Sequence, residues 1–179
     1  ALKLLVTLTS DYPENPRYWK QFYQTYLSLM QDDKALAVMD MAYKKGFLTG
    51  ESEIINMVSL MVYLKMPYKA ANIMVNEMSL GHVKENQKNF ELLSQAWYQA
   101  KENQKAIQAL DQAGSLSIDG NLLAKKGYIL LETDDWSEAI NSFKRSLAKG
   151  KLEDKSKVYF GLGLAYFNQD NLSLALDAL

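Results

Sequence analysis

His82 is the only histidine in the chain, and there is no cysteine to accompany it. A nucleophilic triad needs a histidine held between a nucleophile and a carboxylate. A zinc site needs several nitrogen or sulfur ligands together. His82 follows Gly81 between two apolar runs, so a solvated loop is the expectation, with no metal and no cofactor. The paired carboxylates Asp32-Asp33 and Asp134-Asp135 fall at chain breaks, where aspartate caps helices. No two carboxylates are spaced to face each other across an apolar pocket, which leaves acid–base catalysis without support. All eight methionines lie between Met30 and Met78. Thioethers can bind Cu(I), but Met39, Met57, Met61 and Met74 share the spacing of core residues, so gap-filling is the expectation. On these grounds the chain is not expected to be an enzyme.

Charge narrows the partners. The basic pairs Lys44-Lys45, Lys125-Lys126 and Lys144-Arg145 could track a phosphate backbone. They recur at no fixed position, and the net charge is −1, so solvated helix faces are expected rather than nucleic-acid binding. No apolar run approaches the roughly 18 residues of a membrane span, so direct membrane insertion is not expected. The opening "ALKLLVTLTSDYP" lacks a basic leader and a cleavage site, and does not read as a signal peptide. Absence of cysteine excludes disulfides and leaves the compartment open.

The elements that position these residues come from a repeated phrase. "DDKALAVM", "NQKAIQAL", "DWSEAINSF" and "NLSLALDAL" each place an alanine after a short polar run. The aligned alanines are Ala1, Ala35, Ala70, Ala106, Ala139 and Ala175, at successive separations of 34, 35, 36, 33 and 36. Other columns, not chosen by the alignment, are apolar in the same register. Four residues later stand Leu5, Met39, Met74, Leu110, Phe143 and Leu179. Nine earlier stand Tyr26, Met61, Trp97, Leu130 and Tyr166. Sixteen earlier stand Trp19, Ile54, Phe90, Leu123 and Tyr159. Within a unit the spacing is helical, as in Trp19, Phe22, Tyr23, Tyr26 and Met30. Asn15-Pro16 predicts a helix start, Gly46, Gly81 and Gly150 predict helix ends, and Asp135 with Glu138 predicts a capped start. Each unit is therefore helix, tight turn, helix, and no strand is expected.

With "YFGLGLAYFNQDNLSLAL" and "FELLSQAWYQAKENQKAIQAL" the chain resembles the tetratricopeptide repeat (TPR) family. The resemblance implies an all-α fold: a right-handed α-solenoid of about five repeats with a leading half repeat. The expected divisions are 1–15, 16–50, 51–86, 87–119, 120–155 and 156–179, the last incomplete, in one array. Tyr23 and Val58 stand in the column of Gly127 and Gly163, and Glu77 and Ser146 in that of Ala42 and Ala113. Lys126 replaces a leucine and is expected to snorkel. The first two whole repeats are expected to pack less regularly than the last two. Ala1 and Leu179 fall within second helices, so uncovered ends and self-association through them are expected.

A narrower resemblance rests on "AYKKGFLT", "MPYKAA" and "LSQAWYQAKE". These are similar to exported TPR proteins encoded beside TonB, ExbB and ExbD-type energy-transduction systems of gamma-proteobacteria. That resemblance implies a periplasmic accessory of an envelope transport system. The family also implies a non-catalytic scaffold whose first helices line a concave groove for a protein or peptide. Three groove columns follow from that pattern: Lys20, Ile55, Glu91, Ala124 and Phe160; Gln24, Ser59, Gln95, Tyr128 and Leu164; Leu27, Val62, Tyr98, Leu131 and Phe167. The apolar set Tyr98, Tyr128, Leu131, Phe160, Leu164 and Phe167 is the candidate partner surface. Lys20, Gln24, Ile55 and Ser59 do not form the carboxylate clamp of some TPR domains, so a chaperone-tail adaptor is not expected. The alternatives are an RNA-binding helical repeat and the regulatory array of an enzyme.

Overall fold

The computed structural model describes all 179 residues as helices and turns, with no strand. They divide into two compact units, Ala1–Lys84 and Glu85–Leu179. The first holds α1 (Leu2–Asp11), α2 (Pro16–Ser28), α3 (Asp32–Lys44), α4 (Glu51–Tyr63) and α5 (Pro67–Ser79). The second holds α6 (Gln87–Gln99), α7 (Asn103–Leu116), α8 (Asn121–Glu132), α9 (Trp136–Lys149), α10 (Lys155–Asn168) and α11 (Leu172–Asp177). Within each unit, helices joined by a tight turn pack as pairs, and each pair packs on the next.

The alanine register is the register of packing. Ala35, Ala70, Ala106, Ala139 and Ala175 are all buried, as are Leu5, Met39, Met74, Leu110 and Phe143 four residues on. Five residues before each of these alanines the backbone is left-handed, at Met30, Lys65, Lys101, Asp134 and Asp170. The residue after each donates its N–H to the carbonyl of the column nine before the alanine: Gln31 to Tyr26, Met66 to Met61, Glu102 to Trp97, Asp135 to Leu130 and Asn171 to Tyr166. One six-residue closing bond thus ends every first helix and satisfies an orphan carbonyl. None of these left-handed residues is glycine, a conformation uncommon for other residue types, so the turn is imposed by the packing around it.

Of the expected caps, Asp32 and Asp33 are a correction, since they lie within the first turn of α3 and make no cap bond, while the others are present. The Asn15 side chain accepts from the Arg17 N–H at 3.1 Å, and the Asp135 side chain from the Glu138 N–H at 3.3 Å. Gly46, Gly81 and Gly150 are left-handed (φ about 74°) at the ends of α3, α5 and α9. The Pro13 carbonyl accepts from Trp19 Nε1 at 2.8 Å, which ties the α1–α2 turn to the core. Met39, Met57, Met61 and Met74 are fully buried, so these methionines fill the first unit's core.

Tyr159 and Phe90 are less buried than their column implies, while the ends are uncovered as expected. Ala1 is exposed, because it caps α1 and no partner helix lies over it. Leu179 and Tyr159 are exposed, and both border a shallow depression between α10 and the end of α11. Phe90 is only half-buried, at the open first turn of α6. His82 sits in a loop but is not free: its Nδ1 lies 2.8 Å from Glu77 Oε2.

That contact explains a polar residue in a column of small ones. Glu77 is buried and also accepts from the Tyr43 hydroxyl at 2.6 Å and the Asn76 amide at 3.0 Å. Burial pushes the Glu77 carboxyl up, but these bonds outweigh it and hold the group below the usual range. Ser146, in the same column, is buried and donates to the Gly120 carbonyl at 2.8 Å. Lys126 snorkels as expected, its stem buried and its ammonium 2.7 Å from Asp111.

Candidate partner-binding site

Tyr98 and Tyr128 come together. They line one cleft of about 310 Å3 in the second unit, with Glu91, Ser94 and Gln95 of α6, Leu110 of α7, and Lys125, Ile129 and Glu132 of α8. The floor is apolar or neutral, since Leu110, Ile129 and Ser94 are buried. The rim is charged. Lys125 pairs with Glu91 across the repeat. The Tyr98 hydroxyl donates to both oxygens of Glu132, at 2.7 and 2.8 Å. That bond, with burial second, raises the Tyr98 pKa and keeps the phenol protonated.

Helical phase explains the lining. Glu91, Ser94, Gln95 and Tyr98 stand at i, i+3, i+4 and i+7 on one stripe of α6. Lys125, Tyr128, Ile129 and Glu132 repeat that spacing on α8. A cleft between two helices is lined by the flanks that face each other, and those flanks differ in azimuth from the outward columns. On α8 the lining is therefore Lys125 and Glu132, one residue beyond the expected Ala124 and Leu131. Both of those are buried, Leu131 at 9% exposure. Leu131 is buried and does not line the cleft.

Phe160, Leu164 and Phe167 form a separate stripe on α10, spaced by four and three residues and 59%, 40% and 56% exposed. Phe160 borders a shallow depression with Ser156, Tyr159, Asp177, Ala178 and Leu179. None of the three lines the Tyr98 cleft.

The two tyrosines are not equivalent. Tyr98 is half-buried and hydrogen-bonded only through its exposed hydroxyl. Tyr128 stands edge-on to Phe143, centroids 5.1 Å apart at 75°, and donates to the Lys157 carbonyl. Tyr98 is thus a wall of the cleft, while Tyr128 is both wall and core. The groove columns read from the sequence already included Glu91 and Gln95, though outside the apolar candidate set, whereas Lys125 and Glu132 were missed. The available signal was sequence separation: Tyr98–Glu132 and Lys125–Glu91 are both 34 apart.

No group of three or more histidine, cysteine or acidic side chains is placed to hold a metal ion. No helix is long and apolar enough to cross a membrane. Two of the three basic pairs are matched by acids: Lys44 with Asp40, Lys45 with Glu14, Lys125 with Glu91 and Lys126 with Asp111. Lys144 lies over the Tyr166 ring at 5.4 Å.

No protein-family model and no curated protein matches this chain. Solved structures do. A crystal structure of MamA is similar over 91% of this chain and 87% of its own, with TM-score 0.74 and 16% identity. YrrB, described as a TPR protein with an unusual peptide-binding site, is similar over 99% of this chain and 90% of its own, with TM-score 0.68 and 18% identity. The Cut9–Hcn1 assembly of APC/C is similar over 98% of this chain but 34% of its own, with TM-score 0.55 and 18% identity. At these identities the likeness establishes the fold, which is all-α and built of tetratricopeptide helix-turn-helix repeats.

Proposed function

We propose that this chain is a non-catalytic scaffold that holds a protein or peptide partner against the first helices of its repeats. The cleft between α6 and α8 carries this reading. It joins an apolar floor to polar groups at the rim and a half-exposed tyrosine wall, the composition of an interface anchor pocket. Tyr98 is the principal anchor and Tyr128 its buttress. Phe160, Leu164 and Phe167 on α10 are a further apolar contact. The peptide-binding site named for YrrB supports a peptide as one form of partner.

The finer proposal is a periplasmic accessory of a TonB-type envelope transport system. It is supported by the likeness of "AYKKGFLT", "MPYKAA" and "LSQAWYQAKE" to exported TPR proteins of such systems.

Tyr98→Ala tests the scaffold reading. It removes a ring from the cleft without opening the core, so partner binding should weaken by about 1–3 kcal/mol, the order for interface anchors. Affinity capture from an envelope extract, quantified against Ile118→Ala on an exposed loop, reads the effect. A partner lost equally with both variants, or with neither, would refute the assignment of this cleft. Tyr128→Ala is a poorer probe, because it also unpacks Phe143.

A further inference from the structure

We infer that the α6–α8 cleft takes the basic side chain, arginine or lysine, of an extended partner segment, with Glu132 as its counter-charge. This rests on the scaffold reading above and adds the chemistry of the occupant. Four observations carry it: volume, wall chemistry, charge and the unsatisfied capacity of one carboxylate.

The cleft holds about 310 Å3, the low end of the ~300–1,000 Å3 range of ligand pockets. That suits one or two side chains, not a folded element. Its walls are Leu110, Ile129 and the two tyrosine rings, a surface along which a long aliphatic stem can lie. The rings add a preference for a cation over their faces. Lys101 of the chain itself already lies over the Tyr98 ring, 5.8 Å from its centroid, without reaching a carboxylate.

Charge decides the sign. The lining has two carboxylates, Glu91 and Glu132, against one ammonium, Lys125. Lys125 is engaged by Glu91. Glu132 pairs with no cation, and its only hydrogen-bond donor is the neutral Tyr98 hydroxyl. A carboxylate has about four lone-pair sites, so most of its accepting capacity is open at the rim. Beyond α8, Asp154 adds negative field at Tyr128 and is itself paired with Lys157 at 3.5 Å. An acidic ligand would meet an uncompensated carboxylate, and a neutral one would leave it unanswered. A guanidinium or ammonium that runs its stem over Ile129 ends at Glu132.

The test uses the whole chain and three pools of fluorescein-labelled, end-capped heptapeptides. Flanking positions are mixed, and the centre is arginine, citrulline or glutamate. Citrulline keeps the shape of arginine and removes its charge. Anisotropy at low salt should show the arginine pool binding about tenfold or more tighter than citrulline, as for a charged hydrogen bond. Glutamate should bind weakest. Glu132→Gln should shrink the arginine preference to about twofold or less. Lys125→Gln should increase it, because Glu91 is then also free. Both residues are at exposed positions, and opposite effects of the two variants cannot come from lost folding. Equal binding of arginine and citrulline, with both abolished by Tyr98→Ala, overturns the cationic occupant and leaves the groove reading standing. Binding that ignores Tyr98→Ala, or no binding by any pool, overturns both.

Discussion

One ring in the second unit is held by two glycines, and adding a single carbon to either should be measurable. Phe143 of α9 is fully buried. A Cβ placed on Gly127 of α8 would stand 2.7 Å from its Cε1, and one on Gly161 of α10 would stand 2.6 Å from its Cζ. Carbon atoms rest at about 3.5–4.0 Å, so each substitution is short by roughly an ångström. Tyr128, edge-on to the same ring, blocks one direction of retreat. Overpacking of this kind costs about 1–3 kcal/mol. Alanine in place of glycine within a helix returns about 1 kcal/mol. Gly127→Ala and Gly161→Ala should therefore range from neutral to about 2 kcal/mol destabilising. Gly114→Ala in α7 is the control. Its nearest neighbour would be Leu123 Cδ2 at 3.9 Å, so it should stabilise by up to about 1 kcal/mol. The assay is urea denaturation followed by circular dichroism. The ring is the stated cause, so it must also be the cure. In a Phe143→Leu background, Gly127→Ala and Gly161→Ala should turn neutral or stabilising. The double glycine variant should lose more than the sum of the singles, because the ring cannot retreat from one methyl without meeting the other. Equal effects at Gly114 and Gly127, or no change in the leucine background, would refute the argument.

Ala139→Leu should cost about 1–3 kcal/mol in a thermal melt, because Ala139 is fully buried. Lys144→Leu should cost under about 0.5 kcal/mol, since it forfeits only an exposed contact over Tyr166, and equal losses would sink the repeat register. Glu77 predicts acid sensitivity. Its folded pKa lies below the ordinary 4.5, so its stabilising contribution is complete above that value and lost as pH falls through the folded one. The gap in stability between wild type and Glu77→Gln should narrow on acidification, and a gap constant from pH 7 to 3 would count against the network. Tyr43 acts at the other end: burial, then its bond to Glu77, raises it from 10.0 to about 12. Its contribution is present below 10 and lost as pH rises through about 12, which Tyr43→Phe should abolish. The helix α11 has six residues and exposes Leu172 and Leu176. Its amides should exchange faster than those of α6 around Trp97, and equal protection in a monomer would refute this.

What was legible in the sequence follows from periodicity. Trp19, Ile54, Met61, Trp97, Leu130 and Phe143 each recur at a fixed distance from an alanine. Only a chain that buries the same helix face in every unit keeps apolar residues at those places. Caps were legible for a related reason: Asn15, Asp135 and the left-handed glycines act on backbone groups a few residues away. The turn residues Met30, Lys65, Lys101, Asp134 and Asp170 share no side-chain type, because the helices on both sides enforce their backbone. That could be seen only once the helices were packed.

The cleft belongs to the same division. The sequence, by itself, determined the repeat, the all-α class and the presence of tyrosines on first helices. Tertiary structure decided that Tyr98 faces a cleft while Tyr128 also braces Phe143, that Leu131 turns inward, and that Phe160, Leu164 and Phe167 stand apart. It also decided that Glu77 is a buried acceptor with His82 as a partner, and that Glu132 meets the Tyr98 hydroxyl one repeat away. The physical reason is range. A helical pattern states which residues share a face, since 3.6 residues make a turn. The rotation of one helix against the next, settled by close packing of side chains such as Phe143 between Gly127 and Gly161, states what that face meets.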